Sequence, residues 1–206
     1  MKLNLSLLSR ILSQPWAIRK DTLCTWTPAL FNGQFEARVA AVESRERTFA
    51  AGVIPLSEEG ECAAERSSFP AMPEGLTTIL VWGVLGRGWT ELDRWYLDAI
   101  EVDELTAAIA ATPEGSTVVL WFRSPGGIVT GIPETAGELR RLGKTRRLLA
   151  FTDDLCASAA YWLAAQCEQI VATPTADVGS IGVYLAFYDF VNARDERRQA
   201  GAVQSR

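Results

Sequence analysis

Two short stretches carry the residue types that acyl transfer needs. Arg123-Ser124-Pro125-Gly126-Gly127 reads as a strand end running into a glycine pair, and Cys156-Ala157-Ser158-Ala159-Ala160-Tyr161-Trp162 sets one serine at the mouth of a helix. A serine hydroxyl is a nucleophile, and backbone N–H groups without side-chain obstruction hold an oxyanion. Ala157, Ala159 and Ala160 are small and leave room for a substrate backbone beside Ser158. The chain contains no histidine, and of its 20 basic residues only Lys2, Lys20 and Lys144 are lysines that can serve as a base, the other 17 (20 − 3) being arginine.

Each feature also has a structural reading. A serine before a helix is most often an N-cap, and Gly-Gly after proline is a common turn. A phosphate loop finds little support, because neither a Lys-Ser/Thr pair nor G-x-G-x-x-G spacing accompanies the glycines. Asp153-Asp154 reads as a solvated turn with no second carboxylate cluster to make an acid pair, and Tyr161 and Trp162 read as core. The four cysteines, Cys24, Cys62, Cys156 and Cys167, show no C-x-x-C pairing and have no histidine companions. That argues against zinc and for buried, reduced thiols, and no cofactor is implied.

The elements that must position these residues follow from the apolar pattern. With 206 residues, 48% of them hydrophobic, one sizeable core is expected. Thr78 to Leu85 is a continuous apolar run suited to a strand buried on both faces. Residues 91–111 carry Leu92, Trp95, Tyr96, Ala99, Ile100 and Leu105 at helical spacing. Strands are predicted over 117–122, 147–152, 169–172 and 180–185, and helices over 133–143 and 158–167. This alternation is the rhythm of a parallel sheet with crossover helices.

Residues 1–75 read as an irregular N-terminal extension, with a short amphipathic helix between Leu7 and Ile18, stopped near Pro15, and a linker over 57–75. The polar, Arg-rich stretch 191–206 reads as a frayed helix at which the chain stops in mid-domain. The start of the chain imitates a signal peptide only briefly and no window approaches a membrane span, so a soluble, cytoplasmic protein is expected. The net charge of −5 argues against nucleic acid as a partner.

Ser124-Pro125-Gly126-Gly127, Ala157-Ser158-Ala159-Ala160-Tyr161-Trp162 and Val178-Gly179-Ser180-Ile181-Gly182-Val183 together resemble the signal peptide peptidase A family of serine peptidases. Within it the chain is most similar to the bacteriophage head-protease branch, that of the minor capsid protein C. The resemblance covers 76–190 and implies a ClpP/crotonase-like α/β fold of mainly parallel strands. It implies a Ser–Lys dyad in which Ser158 is the nucleophile and Ser180 orients the lysine. The amides of Gly127 and Ala159 would line the oxyanion hole, with Gly126 shaping the turn. Ala159-Ala160 stands where many relatives carry Gly-Gly.

The family's lysine follows the 178–183 motif, and 191–206 contains none. Lys144 is expected on a solvent-facing helix end. The expectation is therefore a truncated, frame-shifted or inactive peptidase of weak activity. Its substrate would be a peptide or protein, such as prohead scaffold protein in a phage or prophage, with the protein virion-associated in that setting. The resemblance also implies a homo-oligomer. Two alternatives are a catalytically inactive scaffold or assembly protein contacting capsid proteins, and a crotonase-like acyl-CoA enzyme.

Overall fold

Apolar runs become the strands of a parallel layer, and the chain leaves that layer to build the candidate site. The computed structural model describes residues 14–20, 22, 52–55, 61–62, 65–68, 76–90, 93–94, 97–186 and 203–205. In chain order its strands begin with β1 (Trp16–Ile18), β2 (Gly52–Pro55), β3 (Glu61–Cys62), β4 (Glu65–Ser68), β5 (Leu76–Trp82), β6 (Val84–Gly86) and β7 (Ala99–Glu101). Helix α1 (Val102–Ala110), β8 (Thr117–Arg123), β9 (Gly126–Ile128), α2 (Ile132–Leu142), β10 (Arg147–Thr152) and β11 (Leu155–Ala157) follow. The remainder is α3 (Ala159–Ala164), β12 (Gln169–Ala172), β13 (Asp177–Gly179), β14 (Tyr184–Ala186) and β15 (Val203–Ser205).

A five-stranded sheet has the order β12-β10-β8-β5-β2, parallel except for β2 at its edge. Its central strand β8 alternates, with Val118, Leu120 and Phe122 fully buried. They form one core with Leu105 and Ile109 of α1, Leu139 of α2 and Leu163 of α3. On α2, Pro133 stands near the start, Glu134 in the first turn and Arg140 and Arg141 in the last, each favourable to the helix dipole. The expected mixed α/β architecture of mainly parallel strands with crossover helices is what the chain adopts.

A second sheet, of six strands, has the order β15-β14-β1-β9-β6-β7. Sequence reading misplaced several of its members. The 78–85 run is not one strand: Gly83, at φ 125°, breaks it into β5 of the first sheet and β6 of the second. Ala99 and Ile100 belong to strand β7, not to a helix, and Leu92, Trp95 and Tyr96 lie outside the described residues. Trp16–Ile18, at the end of the stretch expected to be helical and stopped near Pro15, is a strand with all three residues buried, held by pairing to a neighbour on each side.

The strand expected over 180–185 begins only at Tyr184, and 203–205, expected to be helical, is a strand. The 57–75 stretch contains the β3–β4 hairpin. Segments of 1–75 thus enter both sheets, through β1 and β2.

Candidate active site

Ser158 sits where β11 gives way to α3. Its backbone has φ 53° and ψ −111°, a left-handed conformation that a residue with a side chain holds only when its surroundings enforce it. Two short bonds fix the turn, Ser158 N–H to the Gly179 carbonyl at 2.7 Å and Trp162 N–H to the Ser158 carbonyl at 2.8 Å. The side chain makes no capping bond, so the N-cap reading does not hold. Instead the Ser158 hydroxyl, only 5% exposed with its residue, donates to the Gly182 carbonyl at 3.2 Å.

Gly126 and Gly127 are not a turn but the start of strand β9. Gly126 holds φ 101°, and a Cβ there would stand 2.2 Å from the Ala17 carbonyl oxygen and 3.0 Å from both the Ala159 amide nitrogen and the Ala157 oxygen. The glycine strand therefore lies directly against the Ser158 turn, at a spacing only glycine allows. A Cβ on Gly127 would lie 1.7 Å from the Leu85 carbonyl oxygen. The fully buried Ser124 ties the two motifs together. Its N–H donates to Leu155 O at 2.8 Å, its carbonyl accepts from Ala157 N at 3.1 Å, and its hydroxyl accepts from the Gly126 amide at 3.2 Å.

Strand alternation fixes where the Gly127 amide points. Val129 N–H donates to Pro15 O at 3.0 Å, and Arg19 N–H to Pro125 O at 2.8 Å. Ala17 pairs with Gly127 midway between them, which makes that the hydrogen-bonded pair and turns the Gly127 N–H toward the Ala17 carbonyl.

A cavity of about 390 Å³ opens in front of Ser158, lined chiefly by Ala17, Tyr161, Trp162, Ala165, Ile181 and Val183. Trp162, expected in the core, is 40% exposed and forms part of this wall, and Ile181 is 85% exposed. Ser180 has φ 54°, is exposed, and is outside this lining. Lys144 and Lys20 are both exposed, neither lines the cavity, and Lys2 lies outside the described residues.

Sequence reading missed a clamp behind the site. Asp153 accepts from Arg123 Nε at 2.9 Å, Arg123 Nη2 at 2.5 Å and Trp121 Nε1 at 2.8 Å. The guanidinium lies 4.5 Å from the Trp82 ring centroid. Arg123 donation holds the Asp153 carboxyl below its usual range, and Asp153 raises the Arg123 guanidinium in turn. Asp153 is thus no solvated turn residue, while Asp154 is exposed. The clamp joins the ends of adjacent strands β8 and β10, from which the chain continues to Gly126 and to Ser158 respectively.

Burial pushes the Cys156 and Cys167 thiols up to about 12, which leaves them unreactive. Cys24 lies outside the described residues. Among the described residues no group of three acidic, cysteine or histidine side chains could hold a metal. No helix among them is long and apolar enough to cross a membrane.

Residues 140–197, the stretch containing Ser158 and the 178–183 motif, match the model of Peptidase family S49. The probable protease SohB of Buchnera aphidicola subsp. Schlechtendalia chinensis is 35% identical over 89 residues, 43% of this chain and 29% of that protein. The probable protease SohB of Haemophilus influenzae is 37% identical over 82 residues, 39% of this chain and 23% of that protein. The chain thus spans less than a third of the length of these curated relatives. A solved enoyl-CoA hydratase/isomerase family member is 16% identical, with TM-score 0.32, over 50% of this chain and 45% of that one.

Proposed function

We propose that this chain is a serine-type peptidase unit of the S49 kind, with Ser158 as nucleophile. The observation that carries the reading is the approach of the Gly126–Gly127 strand to the Ser158 turn, close enough that a Cβ on Gly126 would stand 3.0 Å from the Ala159 amide nitrogen. Gly127 and Ala159 N–H groups are the oxyanion donors in this reading. Ala159 supports it as one of the first residues of α3, whose amides have no partner within the helix. The apolar cavity accepts an extended peptide, and the resemblance to phage head proteases points to prohead scaffold protein as that peptide's source. Ser180 serves to orient the base.

Among the described residues no lysine stands at the cavity to act as base. A serine hydroxyl needs a neighbouring base to attack at neutral pH. Here it donates to a carbonyl that cannot accept its proton for good. In this reading the base comes from outside the described residues, and without it Ser158 acylates slowly.

The test is labelling by a fluorophosphonate with and without millimolar imidazole as a substitute base. Slow labelling of Ser158 that imidazole accelerates, and that Ser158→Ala abolishes, is the expected result. No labelling of Ser158 in either condition refutes it. The lack of a lysine at the cavity among the described residues favours one rival, an inactive assembly protein. Light scattering beside a casein digest separates the two, since a defined oligomer that never cuts casein, even with imidazole present, is the rival's signature.

A further inference from the structure

We propose that residues 15–19 are a built-in peptide ligand of the Ser158 groove, and that the groove takes an extended peptide of the same pattern, a small residue over the serine between two bulky apolar ones. The inference rests on the peptidase reading above and adds what occupies that site. Strand β1 is inserted between β9 and β14, antiparallel to both, as an added peptide strand would be. Its Ala17 carbonyl takes the Gly127 amide, the group assigned to the oxyanion. That same carbonyl oxygen fills the space a Gly126 side chain would need. Ala17 itself lines the cavity with Ser158. Side chains alternate along a strand, so Trp16 and Ile18 turn the other way, and both are fully buried. Trp16 meets Trp89 at a centroid distance of 6.5 Å.

Proline limits the hold at both ends. Pro15 opposite Val129 and Pro125 opposite Arg19 each lack an N–H, so each outer pair makes one bond where two would form. Beyond Ile18 an Arg19–Asp177 ion pair at 2.8 Å fastens the strand on the exposed side. The segment is therefore gripped by its two apolar side chains and by its centre, and frayed at its margins. An incoming peptide must displace it to reach the Gly127 amide.

The test compares the full chain with Trp16→Ala, Ile18→Ala and Arg19→Ala. The last removes the Arg19–Asp177 pair at the surface and leaves the buried Trp16 and Ile18 in place, which keeps the test usable if a core variant does not fold. The probe is a dye-labelled peptide of residues 14–19, Gln-Pro-Trp-Ala-Ile-Arg, followed by fluorescence anisotropy, with fluorophosphonate labelling of Ser158 in imidazole alongside.

Loosening the strand is expected to raise both peptide affinity and labelling rate, by about tenfold or more in Trp16→Ala and Ile18→Ala and by up to about fivefold in Arg19→Ala, because each scales with the open fraction. A scrambled peptide gains nothing. Peptide affinity unchanged in every folded variant, although hydrogen exchange shows the Ala17 and Gly127 amides opened, overturns the proposal. So does labelling of the unmodified chain at the variants' rate, which leaves the peptidase reading standing. Peptide binding with no fluorophosphonate labelling of Ser158 in any variant instead removes the peptidase reading and leaves the groove.

Discussion

Replacing Asp153 with alanine tests whether the clamp between β8 and β10 holds the two motifs, without touching either. The change removes the acceptor of three bonds, at 2.9 and 2.5 Å from Arg123 and 2.8 Å from Trp121. A bond to a charged group contributes roughly 1.5–3 kcal/mol. The three share one anion, and the Arg123 and Asp153 side chains are 29% and 27% exposed, so water recovers part of the loss. A net cost of about 2–3 kcal/mol follows. In a chain of this size 1 kcal/mol moves Tm by roughly 2–4 °C, so Asp153→Ala lowers it by about 4–12 °C.

Differential scanning calorimetry measures that shift, and a double-mutant cycle with Arg123→Met isolates the pair. Because Arg123 holds the Asp153 carboxyl down, the folded state binds fewer protons than the unfolded one. The contribution is complete above the unfolded carboxylate range near pH 4 and is lost as pH falls through the lower folded value. Asp153→Asn flattens that acid limb. A Tm within about 1 °C of the parent, or strictly additive effects of Arg123→Met and Asp153→Ala, refutes the reasoning.

Other expectations follow from single residues. Gly127→Ala drives a Cβ to 1.7 Å from the Leu85 carbonyl oxygen. With backbone on both sides unable to yield, urea unfolding should show a loss of about 3 kcal/mol or more. Gly137→Ala, where nothing stands within 4 Å of the new Cβ on α2, should gain about 0.5–1 kcal/mol in the same assay. Cys156 and Cys167, with thiols pushed up to about 12, should remain unmodified by iodoacetamide at pH 8 and react in urea, as read by site-resolved mass spectrometry.

The parallel layer was legible because its strands are apolar enough to announce themselves. Arg147–Thr152 and Gln169–Ala172 form where the sequence places them, and 117–122 extends only to Arg123. The second sheet was not. A run buried on both faces reads the same whether it stays in one sheet or changes sheets at Gly83, and three-residue strands such as β7 are too short to show a period. In the site, residue type pointed to Ser158 and the glycines. The conformation did not follow, since the positive φ at Ser158 is imposed by its bonds to Gly179 and Trp162 and not by its own preference. The Arg123–Asp153 clamp left no local trace, its partners being 30 residues apart and brought together only by the register of β8 and β10. Ala17 was invisible for the same reason, as its place depends on a strand pairing with Gly127 far along the chain.

Two tight passages from one sheet to the other, through Gly83 and through Ser124-Pro125, bear on how the molecule comes apart. Each is one or two residues long and the two lie side by side, with the Gly83 amide bonded to the Arg123 carbonyl at 3.1 Å. At these two points neither layer has slack with which to loosen alone. Native-state exchange should report them as a single foldon, with amides of Leu80 and Leu85 released together in one cooperative event.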